Sequence, residues 1–174
     1  MFSGFERFDL KPHGVRIHAR RGGQGPPLLL LHGHPQTHAM WHRVAPALAA
    51  RFRVVMADLR GYGDSERVAD DVDHTAYSKR TMARDMLGLI QGLGFGRFDV
   101  LAHERAAGRR IATPTRVLWG ARGVVARCFD VMAQWRAAAD AVSGCALDCG
   151  HYIAEEAPQA LLSEALTFFE GDTR

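Results

Sequence analysis

Residues 27–31, Pro-Leu-Leu-Leu-Leu, form an unbroken apolar run between chain breakers. That pattern predicts a short central strand buried on both faces of a parallel sheet. Residues 52–58, 98–101, 115–120 and 143–147 are further short apolar runs and predict strands of the same kind. Near the start, residues 5–10 and 15–20 alternate apolar and polar, with His13-Gly14 between them as a hairpin turn. Other stretches carry the helical period. In residues 40–50, Trp41, Val44, Ala45 and Leu48 share a face. In residues 77–93, Met82, Met86, Leu89 and Ile90 do so, and Gly92, Gly94 and Gly96 end the helix. Residues 130–139 present Val131, Met132, Trp135 and Ala138 together, and residues 158–169 close the chain as a helix. Strands alternating with helices predict an α/β fold, with a mostly parallel sheet flanked by helices.

The loops between these elements hold the candidate chemistry. Residues 98–101 run into Ala102-His103-Glu104-Arg105-Ala106, a small-x-acid-x-small pattern. That is the pattern of a nucleophile elbow, in which a sharp strand-to-helix turn lifts one reactive side chain above the sheet edge. The local alternative is a strand end carrying a solvated Glu104–Arg105 ion pair. His32-Gly33-His34-Pro35-Gln36 follows the central strand at its carboxyl end, where open α/β sheets bind ligands. His151 follows the last strand and a Cys149-Gly150 turn, and alone it reads as a surface-loop histidine. His32, His34, His38 and His42 invite a metal reading. However, His32 and His34 point opposite ways around a glycine and no acidic ligand lies near, so no metal is expected. Only about ten residues separate Glu104 from Arg116, whereas a parallel crossover takes a dozen or more.

Composition narrows the classes. The chain of 174 residues is expected to be one domain, 1–174, with room for a core. Its net charge of +3 rests on 20 Arg and two Lys that are scattered, apart from Arg20-Arg21 and Arg109-Arg110. No basic stripe interleaved with aromatics is present, so nucleic-acid binding is not expected. Three cysteines without a Cys-x-x-Cys motif suggest reduced thiols and a cytoplasmic location. Residues 1–10 lack the apolar segment of a signal peptide, and the longest apolar run is too short to span a membrane.

Several stretches taken together resemble the haloacetate (fluoroacetate) dehalogenase family of the α/β-hydrolase superfamily. They are His32-Gly33-His34-Pro35-Gln36, Asp58-Leu59-Arg60-Gly61-Tyr62-Gly63-Asp64-Ser65, and Tyr77-Ser78-x-Arg80-x-Met82-x-x-Asp85. Leu93-Gly94-x-x-Arg97-Phe98 and Ala102-His103-Glu104-Arg105 add to them. Later matches are Trp119-Gly120 with Gly123-Val124-Val125, Phe129-Asp130-Val131, and Gly150-His151 ahead of Glu155-Glu156-Ala157-Pro158. The first two motifs are shared with epoxide hydrolases and esterase-like relatives, which stand as alternative activities.

The resemblance implies hydrolysis of the carbon–halogen bond of a small 2-halo acid, without metal or cofactor. Glu104 stands in the place of the family's nucleophilic Asp, and His151 in that of the general base that activates water. Arg105 matches one of two arginines holding the substrate carboxylate, and Arg109 lies one step beyond the second, where Gly108 stands. The backbone N–H groups of His34 and Arg105 occupy the oxyanion-hole positions. The family's helix and strand after the elbow, and its cap domain, have no counterpart, so the chain is internally shortened with a junction near residues 105–113. The orienting acid is missing as well. Related hydrolases place it just after residue 120, where Ala121-Arg122-Gly123 offers none, which leaves Asp130 as a substitute. Impaired turnover is therefore expected. The alternative is a non-catalytic remnant acting as an oligomerising or partner-binding domain, with a homodimer as the simplest assembly.

Overall fold

The computed structural model describes residues 1–69, 72–73, 75–103 and 110–171. The chain divides into two compact units, Met1–Arg105 and Ala106–Arg174.

In the first unit, β1 (Glu6–Leu10), β2 (Ile17–Gly22), β3 (Pro27–Leu31), β4 (Arg53–Ala57) and β5 (Asp99–Ala102) form one sheet in the order β1-β2-β4-β3-β5. β1–β2 and β2–β4 pair antiparallel, while β3 pairs parallel with both β4 and β5. The unbroken leucine run is thus the inner parallel strand that its composition predicts. Leu28, Leu29 and Leu30 are at most 1% exposed, and each contributes roughly 1.5–3 kcal/mol by burial.

The two faces of the sheet are covered by different segments. On one, α2 (Lys79–Gly92) packs Met82, Met86, Leu89 and Ile90 against Ile17, Ala19, Leu29, Val55 and Ala57. Ser78 begins this helix by accepting a hydrogen bond from the Thr81 N–H. Residues 40–50 do not form one helix. A 3-10 segment, His38–Arg43, precedes a single α-helical turn, α1 (Ala45–Leu48), whose entry carries Pro46. The expected face survives this change, since Trp41, Val44, Ala45 and Leu48 are all buried.

In the second unit, β6 (Thr115–Gly120) and β7 (Val142–Leu147) pair parallel as a separate two-stranded sheet. Between them lie α3 (Val124–Cys128) and α4 (Val131–Ala138), and after them α5 (Ile153–Glu156) and α6 (Pro158–Gly171). Arg116 on β6 forms an ion pair with Glu164 on α6 at 2.5 Å. The short helices α3 and α5 are additions to the predicted set.

Among the described residues β5 has a strand partner only on its β3 side. Val100 of β5 stands in register with Leu29 of β3. Leu29 is 1% exposed and Val100 is 44% exposed.

The Arg60–Asp85 pair holds the loop after β4 to α2. Arg60 Nε and Nη2 donate to the two Asp85 oxygens at 2.6 and 2.7 Å, with both side chains buried. Removing one partner strands the other charge, so Asp85→Ala should cost about 3–5 kcal/mol in urea denaturation. A cost below ~1 kcal/mol, the range of exposed pairs, would contradict this role.

Candidate active site

The loops after β3 and β4 are tied together by buried polar groups. Asp58 follows β4 and is fully buried. Its Oδ1 accepts from the backbone N–H of His38 and stands 2.8 Å from His38 Nδ1, and its Oδ2 accepts from the Asp64 N–H. Arg20 Nε donates to His38 Nε2 at 2.9 Å, so the imidazole proton sits on Nδ1 and is donated to Asp58. Gly63, at φ 48°, brings the chain against this carboxylate, and a Cβ there would lie 2.2 Å from Asp58 Oδ2. His32, 1% exposed, accepts from the Leu59 N–H through Nε2 and donates to the Gly33 carbonyl through Nδ1.

These ties change the acidities of both groups. Burial lowers the His32 pKa. Burial pushes the Asp58 carboxyl up, but the hydrogen bonds from His38 and Asp64 outweigh it and hold the carboxyl below its ordinary value. Two of the four histidines considered as metal ligands, His32 and His38, are therefore committed to loop structure. Among the described residues no cluster of three or more His, Cys, Asp or Glu is placed to hold a metal.

His34, whose N–H is expected from the resemblance to serve an oxyanion hole, is exposed in this loop, and its peptide bond to Pro35 is cis. Its Nδ1 lies 3.1 Å from the hydroxyl of Tyr62, whose ring also meets His32 edge-on at 5.2 Å. Tyr62 is a contact that the sequence reading did not assign. β5 extends past its last residue where the His103 N–H donates to the Leu31 carbonyl, which brings the chain before the elbow alongside the His32 loop. Glu104, Arg105 and Arg109, the expected nucleophile and carboxylate clamps, lie outside the described residues.

His151 belongs to the second unit, in an exposed loop after β7. The loop is fixed from both sides. The Ala121 and Arg122 N–H groups donate to the Leu147 and Cys149 carbonyls at 2.8 and 3.0 Å. Gly120 allows this approach, since a Cβ there would lie 1.7 Å from the Gly150 carbonyl oxygen. Beyond His151, Glu156 accepts from the N–H groups of Gly150 and Tyr152 at 2.6 and 2.9 Å. Those bonds, Tyr152 first, lower the Glu156 pKa. Asp130 does not stand in as an orienting acid, because its Oδ1 accepts from the Ala133 N–H and so begins α4. Arg122, in the loop after β6 where the resemblance leads an orienting acid to be expected, pairs with Asp148.

The comparisons agree with this architecture. A family model described as alpha/beta hydrolase fold matches residues 26–103. The chain is 50% identical over 114 residues to a fluoroacetate dehalogenase from Burkholderia sp., covering 64% of this chain and 38% of that protein. It is 45% identical over 92 residues to a soluble epoxide hydrolase from Corynebacterium sp., covering 53% of this chain and 30% of that one. The chain thus spans well under half the length of these curated relatives. A solved protein from Nostoc sp. assigned to the α/β hydrolases superposes with a TM-score of 0.93 at 27% identity, covering 97% of this chain and 99% of that one.

A depressed pKa favours the deprotonated native form, so its contribution is complete above the unfolded pKa and is lost as pH falls. For His32 the loss starts near pH ~6.5, and for Asp58 near ~4. The urea midpoint should therefore fall from pH 7 to pH 5, and His32→Gln should flatten that slope. Parallel profiles for the native protein and the variant would contradict the assignment.

Proposed function

Because the chain has the α/β-hydrolase fold and is related to the haloacetate dehalogenases, we propose that it hydrolyses the carbon–halogen bond of a small 2-halo acid. The observation that supports this most is the 50% identity to a fluoroacetate dehalogenase. That alignment spans a minority of the relative, so the substrate is part of the proposal. In this reading a Glu104 carboxylate oxygen attacks the carbon bearing the halogen. The carbon–halogen bond breaks, halide leaves with the electron pair, and an ester forms on Glu104. His151 then takes a proton from water, and the resulting hydroxide attacks the ester carbonyl. The oxyanion meets the N–H groups of His34 and Arg105. Collapse of that intermediate breaks the carbon–oxygen bond to the product, whose alkoxide takes the proton of the added hydroxyl, so that the 2-hydroxy acid leaves, the Glu104 carboxylate returns and His151 gives its proton to solvent, with Arg105 and Arg109 binding the substrate carboxylate.

Turnover in this reading is slow. Glutamate carries the attacking oxygen one methylene further than aspartate, and a misplacement of about 1 Å can cost ~10²-fold. His151 also lacks an acid in the loop after β6, where Ala121-Arg122-Gly123 stands, and Asp130 is used as a helix cap.

A second reading is favoured by the exposure of Val100 on a strand with one described partner. It makes the chain a non-catalytic remnant that covers this surface by self-association or with a protein partner.

Halide release from fluoroacetate and chloroacetate separates the two. The first reading expects slow release that ends in Glu104→Gln and rises by up to ~10²-fold in Glu104→Asp. Folded protein that releases no halide either as the native chain or as Glu104→Asp would overturn it in favour of the second.

A further inference from the structure

The loop carrying His151 has a feature that loop geometry alone does not require. The two peptide N–H groups that bracket the histidine, those of Gly150 and Tyr152, both donate to one side chain. Each takes a different oxygen of Glu156, at 2.6 Å for Oε2 and 2.9 Å for Oε1. Two donors converging on one group call for an acceptor with no donor of its own. A carboxylate provides that, whereas an amide of the same shape would turn an NH2 toward one of the N–H groups. Glu156 is the last residue of α5, and the Ala157 N–H bonds back to Ile153, so the carboxylate projects from a closed helical turn rather than a free loop. Ile153 and Ala154 of the same turn are buried, which anchors it. Upstream, the Arg122 N–H holds the Cys149 carbonyl. Space is also restricted here, because a Cβ on Gly150 would lie 2.7 Å from Glu156 Oε2.

We propose that Glu156 is the positioning residue for His151, its carboxylate holding the backbone N–H groups of the residues before and after the histidine and thereby restraining the direction of the imidazole. The inference rests on the reading of His151 as the general base, and it assigns to Glu156 part of the orientation that relatives obtain from an acid bonded to the ring. The acid here acts on the backbone. Its bond from the Tyr152 N–H restrains the peptide plane that follows His151, and its bond from the Gly150 N–H restrains the plane one residue before the histidine, so less of the imidazole's freedom remains to be lost when water is activated.

The positioning can be measured without turnover. Amide hydrogen exchange at Gly150 and Tyr152, and the ring signals of His151 in carbon-edited NMR, would be compared across the full native chain, Glu156→Gln, Glu156→Ala and the neighbouring control Glu155→Ala. The His151 ring signals are assigned by their loss in His151→Asn. Exchange is expected to quicken by ~10-fold at one of the two amides in Glu156→Gln and at both in Glu156→Ala. The His151 ring signals should shift and broaden in both variants, while the β7 amides keep their protection and Glu155→Ala behaves as the native chain. Should Glu156→Ala fail to fold, the isosteric Glu156→Gln decides the matter. Unchanged His151 ring signals in Glu156→Gln would overturn the proposal. If halide is released, hydrolysis of the ester should slow in Glu156→Gln by ~10-fold while the first displacement keeps its rate. Absence of turnover in the native chain would count against the proposed function alone, since the spectra still decide the positioning.

Discussion

The Asp58 carboxylate is the constraint on which the first unit depends. It is fully buried and holds His38 through two hydrogen bonds and Asp64 through a third. A buried carboxylate without partners would be too costly to ionise. With these three it is held ionised and becomes a fixed point for both loops at the carboxyl ends of β3 and β4. Removing it would release the 3-10 segment that begins at His38 on one side and the Gly63 turn on the other. His32 adds a parallel link to Leu59. The shape of the His34 loop, and hence the place of its backbone N–H, follows from these ties.

The second constraint is the edge that the described sheet has at β5. A parallel sheet is stabilised when each inner strand has partners on both sides and helices on both faces. β3 meets that condition. β5 is described with a strand partner only on the β3 side, and its Val100 is exposed although the facing Leu29 is buried. The second unit keeps its own parallel pair and the histidine loop. The two loop systems, that of Asp58 and that of His151, are each internally well bonded.

Much of this was legible in the sequence, because strongly patterned stretches report burial directly. The leucine run 27–31, the helical face of Met82, Met86, Leu89 and Ile90, and the strand 115–120 appear where their patterns place them. Residues 40–50 were less legible. Their spacing shows which face is buried, and the structure keeps that face, but Pro46 and the Thr37 side chain that caps His38–Arg43 favour a tighter first turn. The sequence reads as one domain, 1–174, and nothing in its patterns separates the two compact units Met1–Arg105 and Ala106–Arg174. Side-chain commitments were hidden. Asp130 offers the chemistry of an orienting acid, yet a residue just before a helix is well placed to cap it. Glu156 enters the sequence reading only as part of the Glu155-Glu156-Ala157-Pro158 stretch, and nothing in its spacing shows that it accepts from both sides of His151. Glu104, Arg105 and Arg109 remain assigned by resemblance.

The claim at the centre of this account is that Glu104 is a nucleophile and that His151 directs water to its ester. A single turnover of chloroacetate in water enriched in heavy oxygen, followed by mass analysis of the peptide containing Glu104, tests it most directly. Attack by water on the ester carbonyl leaves the heavy atom in the Glu104 carboxylate and gives an unlabelled first product. The account predicts one heavy oxygen on that peptide in the native chain and none in His151→Asn, which should stop at the ester. Halide release with the label in the 2-hydroxy acid and none on Glu104 would contradict it, as would a native peptide that gains neither label nor ester.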